Sequence, residues 1–95
     1  MAVHVIGLMK TMKDPETFAK YREGAAAALA KHGGKVVSST PNPDQIEGTD
    51  EKLAALVILE FPGAEAAKAW RNDPDLASTH ALRVAAADFR FYVAG

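Results

Sequence analysis

The sequence predicts an α+β domain in which an antiparallel sheet carries its helices on one face, in the order strand, helix, strand, strand, helix, strand. Three observations predict it. Val3–Met9 and Leu53–Phe61 read as strands that are apolar on both faces. Asp14-Pro15 and Asp73-Pro74 mark two helix starts. Asp88–Ala94 closes the chain with strict alternation. A strand apolar on both sides must be covered on both sides, and helices supply one of the covers. Together these elements make a ferredoxin-like βαββαβ sandwich.

Val3–Met9 (VHVIGLM) is rich in β-branched residues and sets His4, Ile6 and Leu8 on one face and Val3, Val5, Gly7 and Met9 on the other. Asp14 can accept bonds from free helix amides, and Pro15 suits the first helical position, so a helix begins there. Phe18, Tyr21, Ala25, Ala28 and Leu29 keep helical spacing until Gly33-Gly34 supplies a left-handed stop after His32. Lys35–Thr40 is the second strand, broken by Pro41-Asn42-Pro43-Asp44. Gln45–Glu47 is expected to resume pairing, and Gly48–Lys52 is a polar turn, so that the second and third strands form a long hairpin with a protruding tip.

Leu53–Phe61 stops at Pro62, which lacks an amide donor, and Gly63 frees the backbone for a helix over Ala64–Asn72 with Ala67 and Trp70 inward. Asp73-Pro74-Asp75 starts a second short helix to about Ala85, with a kink between Trp70 and Leu76. The last strand sets Phe89, Phe91 and Val93 opposite Arg90, Tyr92 and Ala94.

Ninety-five residues suit one domain, residues 1–95. A net charge of −1 with both signs interspersed argues against nucleic acid or an anionic membrane as partner. No stretch reaches the roughly 20 apolar residues that span a bilayer, and no signal-like segment opens the chain, so a cytoplasmic location is the expectation. The absence of cysteine removes disulfides, a thiolate nucleophile and sulfur ligation. None of the three histidines has ligand spacing, so neither a metal nor another cofactor is expected. Small molecules and protein partners remain. The sheet face left bare by the helices favours a homodimer in which two such faces meet across a two-fold axis.

Asp14-Pro15-Glu16 with Phe18 and Tyr21, His32-Gly33-Gly34-Lys35, Ile46-Glu47-Gly48, Leu59-Glu60-Phe61-Pro62, Ala69-Trp70, Asp73-Pro74-Asp75 and Arg83 with Ala86-Ala87 resemble the pattern of the domain of unknown function 1330 (DUF1330) family over nearly the whole chain. The resemblance implies a dimeric α+β barrel, a scaffold shared with antibiotic-biosynthesis monooxygenases, muconolactone isomerases and stress-responsive barrel proteins, and no established reaction. The chain departs from the pattern at His32, Arg71 and Asp75-Leu76, and keeps it at Glu60, Trp70 and Arg83.

Each candidate residue has a chemical and a structural reading. His4 is a general base near neutral pH, or a hydrogen-bonded core or interface histidine. Glu60 is a desolvated carboxylate base, or a structural partner of Arg83 or Arg90. His80 and Arg83, three apart on one helix, share a face that would bind a carboxylate or enolate, or else form an exposed polar face or an ion pair. Tyr21 and Trp70 stack a ligand, or simply join helices to sheet. His32 suits a helix C-terminus. Two functions stay open: a cofactor-independent enzyme of proton transfer or oxidation with a pocket between sheet and helices, and a non-catalytic homodimeric binding or stress-associated module.

Overall fold

A computed structural model of the chain describes residues 2–48 and 52–95. β1 (Val3–Met12), α1 (Pro15–Lys31), β2 (Lys35–Pro41), β3 (Ala55–Phe61), α2 (Ala64–Asn72), a 3₁₀ turn (Pro74–Leu76), α3 (Ala77–Ala86) and β4 (Ala87–Ala94) follow in order. The sheet order is β2-β3-β1-β4, antiparallel throughout. This is the βαββαβ arrangement the sequence predicts, with the second helical segment divided in two. Its smallest extent, 17 Å, leaves room for one sheet and one helix layer.

The local chemistry of α1 follows its sequence at both ends. The Thr17 amide and hydroxyl donate to the Asp14 carboxylate at 3.2 and 2.7 Å, and Pro15 opens the helix. At the far end Gly33 takes φ +73°, and the Gly34 and Gly33 amides donate to the Leu29 and Ala30 carbonyls, which closes a Schellman motif. Asp73 caps the 3₁₀ turn by accepting from the Asp75 amide at 2.8 Å.

Alternation along β1 buries Val3, Val5 and Met9 under the helices, beside Leu59 and Phe61 of β3. Trp70 joins this cluster at 3% exposure, tilted against the Phe61 ring with centroids 5.6 Å apart. Gly7 lies on the same face, and a Cβ there would come within 2.6 Å of the Phe91 ring, so the missing side chain is what lets Phe91 rest on β1.

The other face of the sheet carries no helix. Ile6 pairs with Ile58 and Tyr92, and Leu8 with Leu56 and Arg90, so the face has an apolar centre, and Tyr92 is 56% exposed on it. His4, Glu60 and Lys35 sit side by side at one end.

Two expectations about the hairpin need correction. Gln45–Glu47 does not pair, and Ile46 is 97% exposed. Asn42, at φ +48°, donates its amide to the Ala54 carbonyl at 2.9 Å, which ends the ladder at Pro41. The turn expected at Gly48–Lys52 lies partly outside the described residues.

Trp70→Ala should cost about 3–5 kcal/mol, since it empties a buried indole site that neighbours on both helix and sheet cannot refill. Denaturant titration checks this, and an unchanged midpoint would contradict the packing role.

Candidate functional site

The most unusual group in the molecule is Arg83, on the inner face of α3. It is 2% exposed, yet no carboxylate lies within ion-pair distance of it among the described residues. Aromatic faces take the place of a counterion. The guanidinium carbon lies 4.9 Å from the Phe91 ring centroid, 5.4 Å from Trp70 and 5.5 Å from Tyr21. Each such contact is worth roughly 0.5–2 kcal/mol, which offsets only part of the several kcal/mol lost on desolvating a cation.

His80 supplies the directional contact. Its Nδ1 lies 2.8 Å from Arg83 Nη1, and its Nε2 lies 2.8 Å from the Trp70 carbonyl oxygen. Arginine can only donate, so Nδ1 accepts and the proton resides on Nε2, which donates to the carbonyl. His80 is therefore neutral. Burial, reinforced by the charge of Arg83, lowers its pKa below 6.5 and outweighs the hydrogen bond to Trp70. The expectation of an exposed polar face for His80 and Arg83 is thus corrected, because both side chains are buried at 2%.

Arg83 opens onto a cavity of about 500 Å³ between the α2–α3 segment and the β1–β4 side of the sheet. Lys13, Lys68, Arg71 and Arg83 line it with Asp88 as the single acidic residue, whose carboxylate lies 3.8 Å from Arg90, so the cavity is electropositive. Trp70 lines it too, and its indole Nε1–H is buried without an acceptor. An uncompensated buried cation and an unpartnered buried donor in one wall are what an anionic oxygen would satisfy.

The sequence-derived candidates divide between the two faces of the sheet. Arg83, His80, Trp70 and Tyr21 come together on the helix side. His4 and Glu60 lie on the bare face, so the sheet separates them from Arg83. There Glu60 Oε1 is 3.7 Å from His4 Nε2, and Oε2 is 3.4 Å from Lys35 Nζ. Glu60 thus pairs with His4 and Lys35, where Arg83 or Arg90 was expected. Arg90 instead faces Asp88 at 3.8 Å.

His32 serves as the C-cap residue of α1, as its position suggested, and its Nε2 meets Asp73 Oδ2 at 2.8 Å. Lys31 reaches the same oxygen at 2.7 Å. These two bonds, Lys31 first, hold the Asp73 carboxyl well below the usual carboxylate range. The staple fixes the α2–α3 connection against the end of α1.

Sequence reasoning missed Phe89, Phe91, Lys13, Lys68, Arg71 and Asp88 as site residues. The inward alternation of Phe89 and Phe91 was a usable signal, whereas nothing local marks the charged ones. Among the described residues no group of three His, Asp or Glu side chains is arranged to hold a metal ion. No helix there is long and apolar enough to cross a membrane.

Residues 2–95 match the family described as Domain of unknown function (DUF1330). Comparison with curated proteins gives no significant match. Among solved structures, the chain is similar to the RPA0582 protein of unknown function from Rhodopseudomonas palustris, at 24% identity and TM-score 0.77 over 97% of this chain and 79% of that one. It is similar to SnoaB, a cofactor-independent oxygenase from Streptomyces nogalater, at 15% identity and TM-score 0.69 over 99% and 91%. It also resembles a dimeric ferredoxin-like protein of unknown function from Jannaschia sp. CCS1, at 12% identity and TM-score 0.65 over 100% and 99%. At these identities the likeness is one of fold.

The buried neutral His80 sets a pH dependence. Its folded pKa is depressed, so between that value and about 6.5 the unfolded chain takes up a proton that the folded chain does not. The contribution of His80 is complete above about pH 6.5 and is lost as the pH falls below it. Asp73 acts in a separate window, below its ordinary 3.8. In denaturant midpoints followed from about pH 8 to about pH 5, His80→Gln should flatten the decline seen in the parent. Parallel pH curves for the two proteins would contradict a neutral buried imidazole.

Proposed function

The chain belongs to the DUF1330 family, and on that premise we propose that it is a cofactor-independent enzyme acting on a small organic acid or enolisable carbonyl compound held between sheet and helices. The observation that carries this reading is the buried guanidinium of Arg83, which has aromatic neighbours and no carboxylate partner among the described residues. An oxyanion in the cavity would restore charge balance in a desolvated setting, where such stabilisation is strongest.

Asp88 lines the same cavity, but its carboxylate pairs with Arg90 on the side of β4 opposite Phe89 and Phe91, so the proton acceptor in this reading is solvent water. His4 and Glu60 stand on the opposite face of the sheet and do not serve this site. Loss of an α-proton to solvent water leaves the electron pair on the substrate as an enolate, with the negative charge on oxygen at Arg83. The oxygenase described for the Streptomyces nogalater protein supports chemistry that relies on substrate reactivity.

Benzoate, a compact carboxylate, probes the anion site. By isothermal titration Arg83→Gln should lower its affinity at least about tenfold, the loss expected for one charge-assisted contact of about 1.5–3 kcal/mol. Arg83→Lys, which keeps the charge but loses the planar fork, should fall between. Circular dichroism checks that each variant folds. Parental affinity in folded Arg83→Gln would sink the reading.

The bare sheet face supports assembly as a homodimer, in which Ile6, Leu8, Leu56 and Ile58 of two copies cover one another. The Jannaschia protein, described as dimeric, has the same fold. Light scattering should give twice the chain mass at micromolar concentration. Ile58→Asp should shift it to the monomer, because it places a charge in the apolar centre of the interface. A parent protein that runs as a monomer would overturn this assembly.

A further inference from the structure

A second chamber of about 450 Å³ lies between α1 and the sheet. Protein interiors are close-packed and leave few voids larger than a water molecule, while ligand sites run from about 300 to about 1,000 Å³. A space of this size between helix and sheet is therefore room for a molecule. Met9, Phe18, Tyr21, Val57, Phe89 and Phe91 supply most of its apolar wall.

Two features tie this chamber to the electropositive cavity. Phe89 and Phe91 line both spaces. Tyr21 and Phe91, two of the three rings around the Arg83 guanidinium, line the chamber as well. The rings are also ordered. Phe89 and Phe91 stack with centroids 5.0 Å apart and planes 10° apart, and Phe18 lies against Phe89 at 6.2 Å and 16°. Three nearly parallel rings present flat surfaces, which favour another flat ring over a flexible chain that would lose rotamer freedom on entering.

We propose that this chamber takes the fused or extended aromatic body of the same ligand whose anionic group meets Arg83, so that the substrate class is an aryl carboxylate or aryl enolate larger than one ring. This rests on the reading of Arg83 as the oxyanion site and adds the shape and polarity of the remainder of the molecule. Arg22, whose guanidinium carbon sits 5.6 Å from the Phe18 ring centroid, Ser39 and the hydroxyl-bearing Tyr21 are the polar side chains of the wall. The rest of the wall is apolar, and the body is accordingly mostly apolar.

Four probes separate the parts: 2-naphthoate, benzoate, the uncharged 2-naphthalenemethanol and the linear decanoate. Ala25→Phe and Ser39→Phe each fill the chamber from its wall without touching Arg83, and Ser39 is on the exposed edge strand β2, where the larger side chain leaves the fold intact. Each filling variant should weaken 2-naphthoate and 2-naphthalenemethanol at least about tenfold and leave benzoate unchanged. Arg83→Gln should weaken 2-naphthoate and benzoate and spare the alcohol. Decanoate should bind more weakly than 2-naphthoate. If benzoate depends on Arg83 but folded Ala25→Phe and Ser39→Phe leave 2-naphthoate unaffected, the chamber proposal fails while the oxyanion site stands. If no probe depends on Arg83, the oxyanion reading fails, and the assignment of one ligand across both spaces fails with it. Decanoate binding as tightly as 2-naphthoate overturns the aromatic class.

Discussion

A positive charge is held inside this small domain with no carboxylate within ion-pair distance among the described residues. The three rings around Arg83 come from α1, α2 and β4, so satisfying one guanidinium specifies how both α1 and α2 sit on the sheet. His80 completes the arrangement only in its neutral form, because a protonated ring has no lone pair for an arginine N–H. That neutrality in turn needs the Trp70 carbonyl as acceptor for Nε2, which draws the end of α2 against α3. The staple of Lys31, His32 and Asp73 holds the same connection from outside. Cation, rings, imidazole and helix junction therefore depend on one another, and the electropositive cavity is what they leave open.

Most of the fold was legible in the sequence, since its signals are local. Asp14-Pro15, Gly33-Gly34 and Pro62-Gly63 punctuate the chain through backbone chemistry that needs no tertiary context. The faces of the central strands were not legible, and the reason is the pattern that identified them. Val3, Val5 and Met9 are apolar, and so are Ile6 and Leu8, so periodicity says which residues share a face but not which face meets the helices. His4 and Glu60 could be grouped with each other but not sided relative to Arg83. The choice is made by packing, where Gly7 admits Phe91 and Leu59 and Phe61 meet Trp70.

The candidate site was partly legible for a similar reason. The spacing of His80 and Arg83 placed them together, but small neighbours on α3 gave no strong hydrophobic stripe from which to infer burial. An arginine between Leu82 and Val84, in a run that continues Ala85-Ala86-Ala87, was the available hint. The cavity-lining cations come from the β1–α1 loop and α2, and only the fold brings them around one space.

The contact between Gly7 and Phe91 restricts the order in which this wall can change over generations. Alanine is the smallest possible gain at position 7, and its Cβ would already stand 2.6 Å from the ring. A lineage that reshapes the wall must therefore reduce the residue at 91 before position 7 can acquire a side chain, because the reverse order passes through a displaced ring beside the cation. Two substitutions that would be tolerated as a pair are not equivalent one at a time, which is the non-additivity expected of residues in direct contact.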